Sequence, residues 1–383
     1  MTTVCHLFDR DAGWEQRVGA APLLDRLPPD RYRCALASTD PEAVAVLSSL
    51  GETVNLISRR PFSGVAGHLA VSPSVARFVS RQRAEIVHAW SLSAAMAAWP
   101  ALRAMSGRRP ALVVELFDPG LPRSDCNMLR MAAAAGGLSI VCSTQTVRRR
   151  LYESGVAPEF CTVIRPGVDF ARINRFRREG LREKLGVTAT ETAVLLPEPI
   201  RRDRAHFDGF WAAALLHNLC EGFRVILPGA SRELERIRRF VETLPGPTGL
   251  ITPGPAVPFE QIVAIADVLV APSRGDVSTT AIAWAMSAGA AVIATAEHST
   301  AELIAHKVNG LLFKREDRKT MVMSFVRLLR DRASQATMKE AARGQAYRVF
   351  SLRRYVDQHV RLYENVLRGA LPGEGITDSA AVA

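Results

Sequence analysis

Four polar side chains, Asp276, Ser278, Thr279 and Thr280, crowd into one short stretch of the sequence. They stand at the head of residues 277–286 (VSTTAIAWAM), an alanine-rich run that reads as a helix ended by Gly289. Just before them, residues 267–272 (DVLVAP) read as a buried strand, and residues 290–294 (AAVIA) read as the next one. The first N–H groups of a helix have no internal partner, and the helix dipole is positive at that end. Such a place accepts a phosphate. The plainer use of the same residues is to cap the helix.

Three further candidates lie in the first half. Residues 4–8 (VCHLF), 32–37, 53–56, 85–90 (EIVHAW), 111–116 and 139–142 are strand-like, with helix-like runs such as 16–27, 71–83 and 91–105 between them. This alternation predicts a parallel sheet with helices on both faces. Ligands of such sheets lie beyond the C-terminal strand ends. Gly13, His88 and Asp118 fall at or just past those ends. Gly13 lets backbone approach a ligand, and Trp14 beside it would narrow or cap that loop. A lone histidine there is as often structural, and Asp118 before Pro119 and Gly120 suits a turn equally well. Ser143 is expected to cap a helix whose Arg148, Arg149 and Arg150 form a solvated basic face.

The second half restarts the alternation, with strands over 193–196, 223–227 and 249–251 and helices over 206–219, 231–244 and 259–266. Two doubly wound domains in tandem follow from this. The first spans 1–169, and an arginine-rich stretch over 170–187 reads as the link. The second spans 188–350, a last helix covers 351–368, and the small, polar residues 369–383 are expected to be disordered.

The totals agree with two soluble domains, at 383 residues, 48% hydrophobic and 23% charged. No apolar run reaches the ~20 residues of a membrane span, and the N-terminus reads as a strand rather than a signal peptide. A cytoplasmic protein is expected. The six cysteines form no C-x-x-C pair, so buried free thiols are expected rather than zinc or disulfides. The formal charge of +11 comes almost wholly from arginine, since there are five lysines, the first at Lys184. A basic surface suits phosphorylated substrates or an anionic membrane face. No helix-turn-helix, zinc-finger spacing or aromatic RNA-binding signature supports nucleic acid.

Several blocks, in order, resemble the retaining glycosyltransferases of family 4, which have the GT-B fold. They are 163–169 (VIRPGVD), 267–273 (DVLVAPS), 285–294 (AMSAGAAVIA), 301–304 (AELI) and 309–312 (NGLL). In the first half 85–89 (EIVHA) and 12–15 (AGWE) look like landmarks of the same family, and Phe350-Ser351 with the final helix looks like its tail. The resemblance implies two Rossmann-like domains with a cleft between them and a C-terminal helix crossing back to the first. It implies transfer of a sugar from a nucleotide diphosphate donor, with retained configuration and no metal cofactor. The acceptor would be a glycan, a lipid-linked or a small-molecule compound, and contact with the inner face of a membrane fits the basic charge. By the same resemblance His88 and Asp276 would be catalytic. Gly13, Arg201, Arg202, Arg204, Ser278, Thr279, Thr280 and Glu302 would hold the donor, and Trp14 and Asp118 would face the sugar or acceptor.

Two positions depart from the family. Asp276 and Trp284 stand where it places two glutamates, and an indole cannot accept a hydrogen bond from a ribose hydroxyl. A family arginine falls on Pro199 and a family lysine on Arg204, with Arg201 and Arg202 near enough to substitute. These departures admit an alternative, a GT-B-shaped binding or scaffolding protein without catalysis, and, more weakly, a nucleotide-sugar isomerase.

Overall fold

The computed structural model describes residues 1–9, 14–39, 44, 54–57, 64–117, 123–178, 180–197, 205–217, 222–229, 231–244, 249–254, 257–274 and 277–378. The chain forms two compact units, Met1–Gly167 joined by the chain from Leu352 onward, and Val168–Ser351.

In the first unit the elements run β1 (Thr2–Phe8), α1 (Trp14–Arg26), β2 (Tyr32–Ser38), β3 (Val54–Leu56), α2 (Gly64–Gln82), β4 (Ile86–Ala89) and α3 (Leu92–Arg103). They continue through β5 (Ala111–Leu116), α4 (Arg123–Ala134), β6 (Leu138–Cys142), α5 (Gln145–Glu153) and β7 (Cys161–Val163). The seven strands are parallel in the order β3-β2-β1-β4-β5-β6-β7. Successive side chains of a strand alternate between faces. Cys5, Leu7, Val87, Ala89, Leu112 and Val114 therefore share one core, and Val4, Phe8, Ile86, Trp90 and Val113 share the other.

The second unit holds α6 (Phe170–Arg178), α7 (Leu181–Lys184), β8 (Thr192–Leu195), α8 (His206–His217), β9 (Phe223–Ile226), α9 (Arg232–Val241), β10 (Leu250–Ile251) and α10 (Phe259–Ile265). It continues through β11 (Val268–Ala271), α11 (Thr279–Ala288), β12 (Ala291–Thr295), α12 (His298–Ala301), β13 (Leu311–Phe313), α13 (Arg318–Arg330) and α14 (Arg332–Val349). Its strands are parallel in the order β10-β9-β8-β11-β12-β13. Val194, Val225, Val268, Val270 and Ile293 make one aliphatic core with Phe210, Leu234 and Phe325 from the helices. The last helix, α15 (Leu352–Arg368), returns to the first unit, where Tyr355, Leu362 and Tyr363 join the core against α1. Gly167 is required there, because a Cβ would lie 2.6 Å from Tyr355.

Two expectations change, and one stretch gains definition. Residues 170–187, read as the link, hold α6 and α7, and two of their arginines reach the ends of other helices. Arg177 donates to the carbonyls of Ala264, at 2.9 Å, and Ala288 at the ends of α10 and α11. Arg182 bonds Asp267 at 3.0 Å and Ile265 O at 3.2 Å. Helix C-termini leave carbonyls without intrahelical donors, and guanidinium groups satisfy them. Residues 369–378 are placed rather than disordered. Buried Arg165 grips Asp378 through two bonds of 2.8 and 2.9 Å, and Asn365 donates to the carbonyls of Pro372 and Glu374. Their composition hides this because two polar anchors, not an apolar pattern, hold them. Thr144 rather than Ser143 caps α5. The Ser143 hydroxyl donates instead to Phe117 O.

Candidate functional site

The polar stretch that opens the sequence argument lies at the C-terminal rim of the second sheet. β11 and β12 are neighbours, so the segments leaving them emerge side by side. Their ends are tied where Ser273 N donates to Thr295 Oγ1 at 2.8 Å. Ser278 is the N-cap of α11, with its Oγ accepting from Ala281 N at 3.1 Å. Gly289 ends the helix at φ +71°, with Ala290 N reaching Ala285 O at 2.9 Å, as the left-handed C-cap requires.

The cap leaves something over. Thr279 and Thr280 are each 2% exposed, and neither hydroxyl has a hydrogen-bond partner among the described residues. A buried hydroxyl without a partner costs ~1–3 kcal/mol. At the first two helical positions a threonine cannot bond back to the preceding turn, since no such turn exists. Among the described residues both hydroxyls are thus left over at the positive end of the helix. The next segment repeats the theme. α12 starts with a capping box between Glu297 and Thr300, and the hydroxyl of buried Ser299 has no partner among the described residues. Glu302, the C-cap of that turn, is half-buried.

Sequence reasoning missed a neighbouring group. Asp208, in the first turn of α8, takes Arg274 at 3.0 Å and Arg318 at 2.6 Å on its two oxygens. With Ala205, Phe207, Glu233 and Arg236 these line a hollow of about 100 Å³. Arg274 follows β11 directly, so the hollow opens beside the exit of that strand. His206 buries its imidazole and bonds Pro197 O at 2.6 Å, which fixes the chain on either side of residues 198–204. The only sequence signal for this group is an acidic residue in a helix's first turn, which ordinarily means a dipole contact.

The other described candidates are buried within their own units. Trp284 occupies the expected second glutamate position and is 2% exposed, its indole N–H unpartnered among the described residues. Trp14 opens α1 and is buried. His88, expected at a strand end facing the sugar, has no exposed surface. Its Nδ1 lies 2.7 Å from the Tyr363 hydroxyl on α15, and Trp90 stacks on it at 4.5 Å. The helix that covers it comes from the far end of the chain, which no local pattern reveals. Gly13, Asp118, Arg201, Arg202, Arg204 and Asp276 lie outside the described residues. Cys5, Cys34, Cys126, Cys142 and Cys161 are free thiols. Among the described residues no helix is long and apolar enough to cross a membrane.

Two family models match the chain, "Glycosyltransferase Family 4" over residues 23–172 and "Glycosyl transferases group 1" over residues 210–331. No curated protein sequence matches it. Among solved structures, HepE of Anabaena in complex with UDP and glucose has a TM-score of 0.78 at 18% identity, over 95% of this chain and all (100%) of that one. A glycosyltransferase of Rickettsia africae has a TM-score of 0.75 at 16% identity, covering 96% of this chain and 99% of that one. Sucrose-phosphate synthase of Thermosynechococcus elongatus has a TM-score of 0.76 at 15% identity, covering 97% and 100%. These likenesses show the GT-B fold.

Proposed function

We propose that this glycosyltransferase, built on the GT-B fold, moves a sugar from a nucleoside diphosphate donor to an acceptor hydroxyl with retained configuration, as family 4 enzymes do. The donor diphosphate sits at the start of α11. The observation that carries this reading is the pair of buried hydroxyls on Thr279 and Thr280, directly after the Ser278 cap, that have no partner among the described residues.

Departure of the nucleoside diphosphate leaves negative charge on its phosphates, and fixed donors aimed at that charge lower the barrier most. The α11 N-terminus supplies N–H groups and a positive dipole end, the two threonines supply O–H donors, and Arg274 stands on the preceding turn. Together these meet the charge without a metal ion. Asp276, Arg201, Arg202 and Arg204 belong to the same reading through the family resemblance, and Glu302 lies on the adjacent loop. Because the Anabaena neighbour is seen with UDP and glucose, uridine diphosphate sugars are the first donors to test.

Ligands that bind only the folded state raise the melting temperature. Thermal shift against a panel of nucleoside diphosphate sugars is expected to find one that raises it by several degrees. Proton NMR of the product should then show the donor's anomeric configuration. No shift with any donor at millimolar concentration, or an inverted product, would overturn the reading.

A further inference from the structure

Beneath α15 the first unit encloses a cluster that the transfer reaction does not use. His88 on β4 pairs with Val113 of β5, so Glu115, two residues further on, lies on the same sheet face. His359 reaches this face from α15. All three side chains are fully enclosed, at 0%, 1% and 0% exposure for His88, Glu115 and His359. The Nε2 atoms of both histidines lie 3.4 Å from the same oxygen, Glu115 Oε2. One nitrogen or oxygen from each of the three residues falls within 4.8 Å of the other two.

The hydrogen bonds around the cluster constrain its chemistry. His359 Nδ1 lies 2.9 Å from the carbonyl of Tyr355, which can only accept, so Nδ1 carries a hydrogen. A neutral His359 would then turn a lone pair at the Glu115 carboxylate, and only a cation between them resolves that conflict. A proton is one such cation. A charge-assisted N–H···O bond, however, closes to ~2.7–2.9 Å, and both gaps here are 3.4 Å. Two ligand atoms bound ~2.0–2.2 Å from one tetrahedral ion stand about 3.3–3.6 Å apart, as both histidine–glutamate gaps do, while the ligand set as a whole spans up to 4.8 Å, so the two imidazoles draw together on an ion. His88 Nε2 also has no hydrogen-bond partner among the described residues. The remaining ring nitrogens are held by a tyrosine hydroxyl and a backbone carbonyl, the outer support that metal-binding histidines use. His6 is excluded as a ligand. Its Nδ1 accepts from Trp90 Nε1 at 3.1 Å, so its Nε2 carries the hydrogen.

We propose that His88, Glu115 and His359 bind a structural divalent ion, zinc by ligand type, that clamps the C-terminal helix to the first sheet. Two imidazoles and a carboxylate suit zinc, and a water or the second Glu115 oxygen completes four-coordination. The ion lies inside the first unit, apart from the proposed donor site, so each reading can fail alone.

The test uses the full chain, produced without a histidine tag in zinc-supplemented medium. Elemental analysis after dialysis should find about one zinc per chain, and His359→Gln should lose it at least tenfold with its circular dichroism kept. Wild-type protein stripped with a chelator should regain several degrees of melting temperature on addition of zinc chloride alone. Cobalt(II) in the stripped protein should give the intense visible bands of a tetrahedral site. A wild-type chain that carries no zinc and gains no stability from it overturns the proposal. So does zinc retained undiminished by His359→Gln.

Discussion

The two sheets of this protein bury polar groups in different places. In the first unit His6, His88, Glu115 and His359 lie inside a core of aromatic rings, each bonded at least once by another group of the same unit, while Nε2 of His6 and of His88 has no hydrogen-bond partner among the described residues. In the second, the core between β8–β13 and α8, α9 and α13 is built on Val194, Val225, Val268, Val270, Ile293, Phe210 and Phe325. At its C-terminal strand ends Thr279, Thr280 and Ser299 are left without partners among the described residues. A polar cluster bonded together inside a core orders the fold. An unsatisfied one at the C-terminal strand ends of a parallel sheet is arranged for a ligand. Chemistry-bearing residue types alone do not separate these cases, since histidine and glutamate look the more catalytic and are the more deeply structural here.

The largest effect should come from breaking the internal cluster. Removing one member of a buried charged pair costs ~3–5 kcal/mol, because the other members keep their desolvation without their partner. Glu115→Ala is expected to lose stability in that range by urea unfolding, and any donor-induced thermal shift should persist in the folded fraction. The carboxyl group of Glu115 illustrates the balance. Burial would raise its pKa, yet His359 and His88 hold it below the ordinary value. A loss under ~1 kcal/mol, the scale of an exposed ion pair, would mean that the first unit's polar core contributes no more than a surface one.

A smaller effect is expected at Asp267, which joins Ala193 N and Arg182 at 3.0 Å each and Lys339 at 3.4 Å. Burial pushes its pKa up, but the Ala193 N–H, Lys339 and Arg182 together carry it below the usual 3.8. The folded carboxyl therefore binds a proton less readily than the unfolded one. Its stabilisation is complete above about pH 4 and is lost as pH falls through the folded value. Asp267→Asn should cost ~1.5–3 kcal/mol at neutral pH, as for a hydrogen-bonded charged group. It should also flatten the loss of stability between pH 5 and pH 3, read from urea midpoints at each pH. An unchanged slope would remove Asp267 from the acid sensitivity of the second unit.

Much of this architecture was readable in the sequence, and the reasons are local. The apolar run 267–272, the serine before the alanine-rich stretch and Gly289 after it each act within one turn of chain, so β11, α11 and the cap at Ser278 fall where pattern puts them. What escaped reading depends on distant partners. His88 was legible as a strand-end histidine, but not as one roofed by Tyr363, 275 residues away. Arg177 and Arg182 looked like a solvated link because nothing local announces the helix ends at Ala288 and Ile265 that they cap. Thr279 and Thr280 were legible as donors. Their lack of partners was not, since only the enclosed geometry shows that no other described residue satisfies them.

The smallest effects should divide the rim of the second sheet into capping and binding roles. Ser278 accepts from Ala281 N, so Ser278→Ala removes a cap and should cost ~1 kcal/mol of stability with or without ligand. Thr280 differs, because its buried hydroxyl bonds no described residue. Thr280→Val keeps the shape and removes a desolvated polar atom, so the ligand-free protein should melt at the same temperature or slightly higher. If that hydroxyl meets the donor phosphate, the same substitution should weaken donor binding about tenfold, ~1.4 kcal/mol. Calorimetric titration with the donor found by thermal shift, run beside unfolding curves of both variants, reads the two quantities separately. Thr280→Val that lowers stability by ~1 kcal/mol and leaves affinity unchanged would make the second rim structural. The contrast with the first unit would then be one of degree.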